Sequence, residues 1–277
     1  MDSILEKAKK VAEEAEVFMV SSEDTPVQFE ANRLKYIQSK QSTSIALRII
    51  KNGKIGYATT TSLEDGQKLV DMAVETSRFG MKAEFEFPGR TDFPRPDTYD
   101  PATEAVPVET MSRLGEEMIT AVREGTPDLL CEGGVSKGTT SVRIINSRGG
   151  QAEYKQTFFG INIEGELVHD TDMLFVGDGQ SSCQPILDVS EIVSEVRKQL
   201  ELARNRASAP SKLLPVIFTP HGVASGLISP LMAAFNGKTV LEGASPVGGK
   251  LGQKVFDEKL HLWDDPTVAL RPSSRPC

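Results

Sequence analysis

The dipeptide Asn52-Gly53 stands between two runs whose apolar residues alternate, Ile45, Leu47 and Ile49 before it and Ile55 and Tyr57 after it. Alternation at period two puts every apolar side chain of a strand on one face. Both residues of a two-residue hairpin turn need positive φ, which Asn and Gly tolerate best. The stretch therefore predicts an antiparallel hairpin with one buried face. That face needs a cover, and the chain supplies helices on either side. Ile4, Leu5, Ala8, Val11, Ala12 and Ala15 recur at helical spacing. After the hairpin, Ser62 with Asp65 three residues on predicts an N-cap for a helix that runs to about Phe79 and stops at Gly80. Short strands are expected near 17–20 and 27–30.

Five prolines between residues 88 and 107, Pro88, Pro94, Pro96, Pro101 and Pro107, interrupt any regular element and read as a linker. Beyond it the plan recurs. A helix is expected from about Pro107, with Val108, Met111, Met118 and Val122 on one face. Strands follow near 129–131 and 139–146, then near 151–163, with a turn at Glu164-Gly165 into a strand over 166–176. Asp188 and Glu191 then open a helix whose Ile192, Val193, Val196 and Leu200 face inward. After Pro210, the apolar run 213–218 predicts a buried strand. A helix follows over 222–235, kinked or restarted at Pro230.

The reading is an α+β fold with two domains of helix–antiparallel strands–helix plan, residues 1–87 and 107–210. Residues 88–106 form the linker, and 211–277 the start of a third domain. The last segment ends without a closing element, which gives the expectation that the domain is cut short.

The chain carries a net charge of −8, so phosphate backbones are repelled and nucleic acid is an unsuitable partner. Its densest basic stretch, Arg197, Lys198, Arg204, Arg206 and Lys212, is interleaved with Glu191, Glu195 and Glu201 and reads as a solvated face. No apolar run is long enough for a bilayer. The N-terminus lacks the apolar core of a signal peptide, and Cys131, Cys183 and Cys277 form no disulfide framework. A cytoplasmic protein with reduced thiols is expected.

The three histidines, His169, His221 and His261, lie far apart. None is followed by Glu, and none has a second His one turn away, so the pattern of a helical zinc hydrolase is missing. His169 with Asp170 and Asp172, and His261 with Asp264 and Asp265, read as polar turns rather than metal or acid/base sites. The stretch Gly243–Lys250 has the wrong spacing for a phosphate loop, and no Ser or Thr follows Lys250. No G-x-S-x-G elbow occurs, and neither Cys131 nor Cys183 has an adjacent His. No catalytic or metal-binding residue is assigned.

The run Thr43 to Thr60, with Arg48 on the strand, the Gly53 turn and Gly56-Tyr57-Ala58, resembles the first-domain hairpin of the TldD/PmbA family, proteins once called modulators of DNA gyrase. The stretch from Glu30 to Ser39 is similar to the family too. So are Asn236-Gly237-Lys238 through Gly243-Ala244-Ser245, Lys250-Leu251-Gly252 through Val255, and Asp264-Asp265-Pro266. The resemblance implies paired subunits of a zinc-dependent metalloprotease that trims or degrades peptides, one subunit carrying H-E-x-x-x-H. At the comparable position this chain reads His221-Gly222-Val223-Ala224-Ser225-Gly226. Glycine offers neither a ligand nor a base. The resemblance thus implies the PmbA/TldE-like partner, with no cofactor of its own. It would pair as a hetero-oligomer with a TldD-like zinc-bearing subunit and help enclose an extended peptide substrate. A regulatory protein-interaction module without a protease role remains the alternative.

Overall fold

The computed structural model describes residues 1–62, 64–169, 172–205, 207–208 and 210–274, with the backbone alone at His169. The chain divides into two units, residues 1–205 with 265–277, and residues 206–264.

The first unit is built on a seven-stranded antiparallel sheet. Helix α1 (Asp2–Ala8) leads into strand β1 (Glu14–Glu30), which turns through Ala31-Asn32 into β2 (Arg33–Ile37) and β3 (Lys40–Lys51). The Asn52-Gly53 turn then gives β4 (Lys54–Thr60) and helix α2 (Gly66–Ser77). Both turn residues have positive φ, 51° and 66°, as the hairpin reading requires. The cap of α2 is Asp65, whose carboxylate accepts from Lys68 N at 3.2 Å, and not Ser62. The helix starts where a side-chain oxygen can reach its first free amides.

A short helix α3 (Pro101–Ala105) and α4 (Val108–Arg123) precede β5 (Leu130–Asn146), β6 (Gln151–His169) and β7 (Asp172–Ser182), and α5 (Ser190–Ala203) follows. The strand order is β4-β3-β1-β5-β6-β7, with β2 beside the far half of β1. Strand β1 is central. It pairs with β3 from Glu14↔Ile50 to Asp24↔Lys40, and with β5 from Glu16↔Asn146 to Phe29↔Gly133.

Three sequence expectations fail here for one reason. The pieces 17–20 and 27–30 are one strand, those near 129–131 and 139–146 both belong to β5, and β6 runs straight through Glu164-Gly165. In each case a partner strand supplies hydrogen bonds that override local breakers: Pro26 pairs with Ser136, and Gly165 pairs with Cys131. A Cβ at Gly165 would lie 3.0 Å from Leu129 Cδ2, so this glycine serves packing rather than a turn.

The odd-numbered residues of β1 face the helices. Ala15 and Val17 join Leu47, Ile49 and Ala58 in one core with Ile4 and Ala8 of α1 and Leu69, Val70 and Ala73 of α2. Val27 and Phe29 join a second core. There, Met111, Leu114 and Met118 of α4 and Ile192 and Val196 of α5 pack on Val135, Phe159, Ile161 and Ile163. Close approach of α2 to the hairpin depends on Gly56, where a Cβ would lie 2.1 Å from Ala73 O.

The proline-rich stretch is strapped to the sheet. Phe87 is buried, and its N–H donates to Glu14 Oε2 at 2.7 Å. The Arg48 guanidinium, held by Glu16 at 2.7 Å, lies 4.9 Å from the Phe87 ring centre and 5.2 Å from that of Phe85. Thr157 N–H donates to Thr98 O at 2.9 Å, and Asn146 Nδ2 donates to Pro88 O at 2.9 Å. Leu270 N–H reaches Asp97 O at 2.7 Å, so the stretch from residue 265 docks on the same unit.

In the second unit, residues 213–218 form no strand, and Leu213 and Ile217 are almost fully exposed. Prolines at 210, 215 and 220 remove donors that a strand needs, and no partner strand lies beside it among the described residues. Helix α6 (Pro220–Val223), a π-helical stretch (Ala224–Ile228), α7 (Ser229–Phe235) and α8 (Gly237–Leu241) follow. Pro230 is the second residue of α7 and directly follows the π-helical stretch, so its missing N–H coincides with the change of helical register rather than ending the helix.

Candidate functional site

The segment comparable to a zinc-binding helix opens at Thr219, whose Oγ1 accepts from Gly222 N at 3.2 Å. Pro220 occupies the first turn, and the backbone then adopts the π-helical register over Ala224–Ile228. A π-helical turn brings positions five apart toward one side, and such turns occur frequently at functional sites. Positions 221 and 226 are five apart. This chain has His at 221 and Gly at 226.

His221 is exposed, and Ser225 Oγ donates to its carbonyl at 2.9 Å. A Cβ at position 226 would lie 3.1 Å from Phe218 Cε1, and one at 222 would lie 3.4 Å from Phe218 Cδ1. A side chain at 226 would press on the Phe218 ring, one at 222 would only touch it, and Gly226 itself is exposed. Among the described residues, no three His, Cys, Asp or Glu side chains converge in a way that could hold a metal ion. A hydrolytic zinc needs three protein donors and a free position for water. The donor set around His221 does not fit that requirement, so no step through a metal follows for this segment.

The other sequence candidates are dispersed. Asp170 and the His169 side chain lie outside the described residues, and Asp172 begins β7. His261, Asp264 and Asp265 are exposed. Asp265 Oδ1 accepts from Thr267 N at 2.9 Å and from Thr267 Oγ1 at 2.6 Å, which pulls its pKa down and fixes a turn. Cys131 and Cys183 are buried, and burial pushes the Cys131 thiol up to about 11. A thiol this hard to ionise is a poor nucleophile at neutral pH. Gly243–Lys250 follows α8 rather than a strand, with Ser245 Oγ tied to Ala234 O at 2.6 Å. Of the basic stretch, Arg206 lies outside the described residues, and Arg197 is paired with Glu124 at 2.6 Å.

One polar cluster escaped the sequence reading. Lys155 Nζ of β6 donates to Glu104 Oε1 at 2.8 Å and lies 4.1 Å from the centre of the Tyr99 ring. Thr139 Oγ1 donates to the same oxygen and Tyr99 Oη to Oε2, both at 2.8 Å. Lys137 Nζ caps the carbonyls of Glu104 and Val106 at 2.6 and 2.7 Å. The Lys155 hydrogen bond, followed by that of Thr139, holds the Glu104 pKa near 2. A carboxyl this acidic stays ionised at neutral pH and cannot act as a general acid there. Its chemistry is that of a latch between α3 and the sheet.

The remaining candidate surface is main chain. Strand β4 covers β3 only from Ile45 to Lys51. Residues 33–44 therefore leave one edge without a strand neighbour among the described residues. The outer side of β7 is likewise an edge. A groove of about 530 Å³ between β2 and α4 is lined by Phe29, Leu34, Ile119, Arg33, Glu116 and Glu124 among others. Such edges accept extended chains through backbone hydrogen bonds. Lys35 and Lys40 on this edge are also the usual guards against unwanted pairing.

Comparison with known proteins places two stretches. Residues 15–77 match the family model described as PmbA/TldA metallopeptidase domain 1, and residues 211–277 match the PmbA/TldA metallopeptidase C-terminal domain. An uncharacterized protein of Methanocaldococcus jannaschii is 27% identical over 99% of this chain and 64% of its own length. A protein named "Metalloprotease" from Methanothermobacter thermautotrophicus is 21% identical over 97% of this chain and 60% of its own. The chain thus spans less than two thirds of these curated relatives. The crystal structure of TldE from Thermococcus kodakarensis superposes on the whole chain with a TM-score of 0.86 at 21% identity, covering 65% of that protein. At that identity the likeness speaks for the fold.

Proposed function

This chain belongs to the PmbA/TldD metallopeptidase family, and from that premise we propose that it is the non-catalytic, TldE-like partner in a two-subunit peptidase. The observation that carries the reading is the pair Gly222 and Gly226, the first in α6 and the second in the π-helical stretch that follows it, at the positions where the motif has its base and second ligand. The zinc belongs to a second family member that has H-E-x-x-x-H. Water activation, which needs both a Lewis acid and a base, takes place there. This chain's own residues contribute surface: open strand edges that bind an extended peptide through its backbone, whatever its sequence, and walls that keep folded proteins away.

The proposal places the pair in the cytoplasm. Among the described residues no helix is long and apolar enough to cross a membrane. It also takes residues 1–87 and 107–210 as separate domains joined by 88–106, and 211–277 as part of a third. The family match at residue 211 supports the second division, whereas the first is one of helix cover alone, because β1 contributes Val27 and Phe29 to the second core and one sheet carries both. Co-expression with a family member carrying the zinc motif tests the functional claim. Peptide cleavage should require both chains. Cleavage that is unchanged when this chain is left out would refute the assisting role.

A further inference from the structure

The chain contains two Asn-Gly pairs, Asn52-Gly53 and Asn236-Gly237. Such pairs deamidate spontaneously, because glycine has no side chain to shield the amide nitrogen that follows Asn. Solvent base removes the proton from that nitrogen, which attacks Asn Cγ. The bond from Cγ to the side-chain nitrogen breaks, and the nitrogen leaves as ammonia after taking up a proton. Water then opens the cyclic imide to Asp or to isoaspartate. Loss of the glycine N–H proton is the entry to the whole sequence.

At the β3–β4 turn that proton is held. Gly53 N–H donates to Glu13 Oε2 at 3.2 Å, and Asn52 N–H donates to Glu13 Oε1 at 2.7 Å. Asn52 and Gly53 are themselves exposed, so burial gives no protection. We propose that the Glu13 carboxylate is a chemical guard of this turn, and that Asn52 is a latent deamidation site exposed when the guard is lost.

Three effects act in the same direction. A proton shared with an anion is harder to remove, because its departure would leave two negative charges facing each other. The two hydrogen bonds also hold the turn at φ 51° and 66°, so Gly53 N is not free to swing onto Cγ. Finally, either product carries a new carboxylate at position 52, beside that of Glu13.

The consequence reaches the core. Isoaspartate adds one main-chain carbon to a two-residue turn that sets the register Ile49↔Gly56 and Leu47↔Ala58. Ile49, Leu47 and Ala58 are core residues, and Gly56 is the point of closest approach to α2. Modification at Asn52 therefore strains the hairpin against the helix that covers it.

The second pair is an internal reference. Asn236 Oδ1 caps α8 by accepting from Lys238 N at 3.0 Å and Thr239 N at 3.4 Å, in the other unit of the chain.

The test is peptide mapping by mass spectrometry after incubation of the full chain at mildly alkaline pH, with isoaspartate assayed by enzymatic carboxyl methylation. Glu13→Ala should raise conversion at Asn52 by about tenfold, the size of one charge-assisted hydrogen bond. The rate at Asn236 should not move. Unchanged conversion at Asn52 in E13A overturns the proposal. If both pairs accelerate together, the variant has opened generally, and a second measurement decides. A free peptide of residues 50–55 should deamidate about tenfold faster than Asn52 in the wild-type chain, by the same arithmetic. Equal rates in peptide and protein overturn the guard.

Discussion

Glu104 shows how far a side chain's chemistry depends on partners that sequence distance hides. Its donors lie at positions 99, 139 and 155, on a loop and two strands. No spacing rule links them, so the cluster leaves no mark in the sequence, whereas the adjacent pair Asn52-Gly53 marks its turn directly. The folded pKa near 2 lies below the ordinary 4.5. The latch therefore contributes fully above about pH 4.5 and is lost as pH falls through about 2. The carboxylate is partly exposed, so solvent screens the pair, and Glu104→Gln should cost only about 0.5–1 kcal/mol at neutral pH. Melting curves of wild type and E104Q should differ at pH 7 and converge in acid. A constant difference across that range contradicts the latch. Gly115 of α4 poses a contest between two effects. Alanine gains about 1 kcal/mol of helix propensity over glycine, but its Cβ would lie 2.2 Å from Phe29 Cε2, and Phe29 is buried. Overpacking at about 1–3 kcal/mol wins, so Gly115→Ala should lower Tm. A rise would show that the ring has room to move.

Strands and helices were legible where one face alone decides. The α4 and α5 stripes and the β3–β4 hairpin lie where periodicity put them, because each buries one side. Boundaries failed where pairing decided instead. Pro26 and Gly165 look like breaks, yet β5 holds both in register. The run 213–218 failed in the other direction, since apolar residues alone do not make a strand when prolines remove its donors. The proline-rich strap is held at element scale by Arg48 on the Phe85 and Phe87 rings and by Glu14 on Phe87 N–H. Arg48→Met should therefore speed hydrogen exchange at the Phe87 amide, while amides of the β1–β3 ladder keep their protection. If the two change together, Arg48 supports the sheet and not the strap. Leu47 is buried in the first core, and Leu47→Ala should cost about 2–5 kcal/mol in chemical denaturation. A cost under about 1 kcal/mol would place Leu47 outside the hydrophobic core.

At the scale of the whole molecule, the α+β class followed from helices flanking alternating strands, and two helix-covered cores are present. Sequence could not show that one sheet runs through both, because β1 meets β5 across more than a hundred residues, as in Glu16↔Asn146. The functional reading was legible as an absence, glycine at 222 and 226. The π-helical backbone was not, since it leaves no local signature. The proposed role requires that the described residues offer no donor set for a hydrolytic metal and that cleavage depend on a partner. Zinc content and peptide turnover, measured together on the purified chain alone, test it most directly. The account predicts substoichiometric zinc that dialysis removes and no cleavage of an unstructured peptide. One tightly held zinc per chain with turnover in the absence of any partner would contradict it.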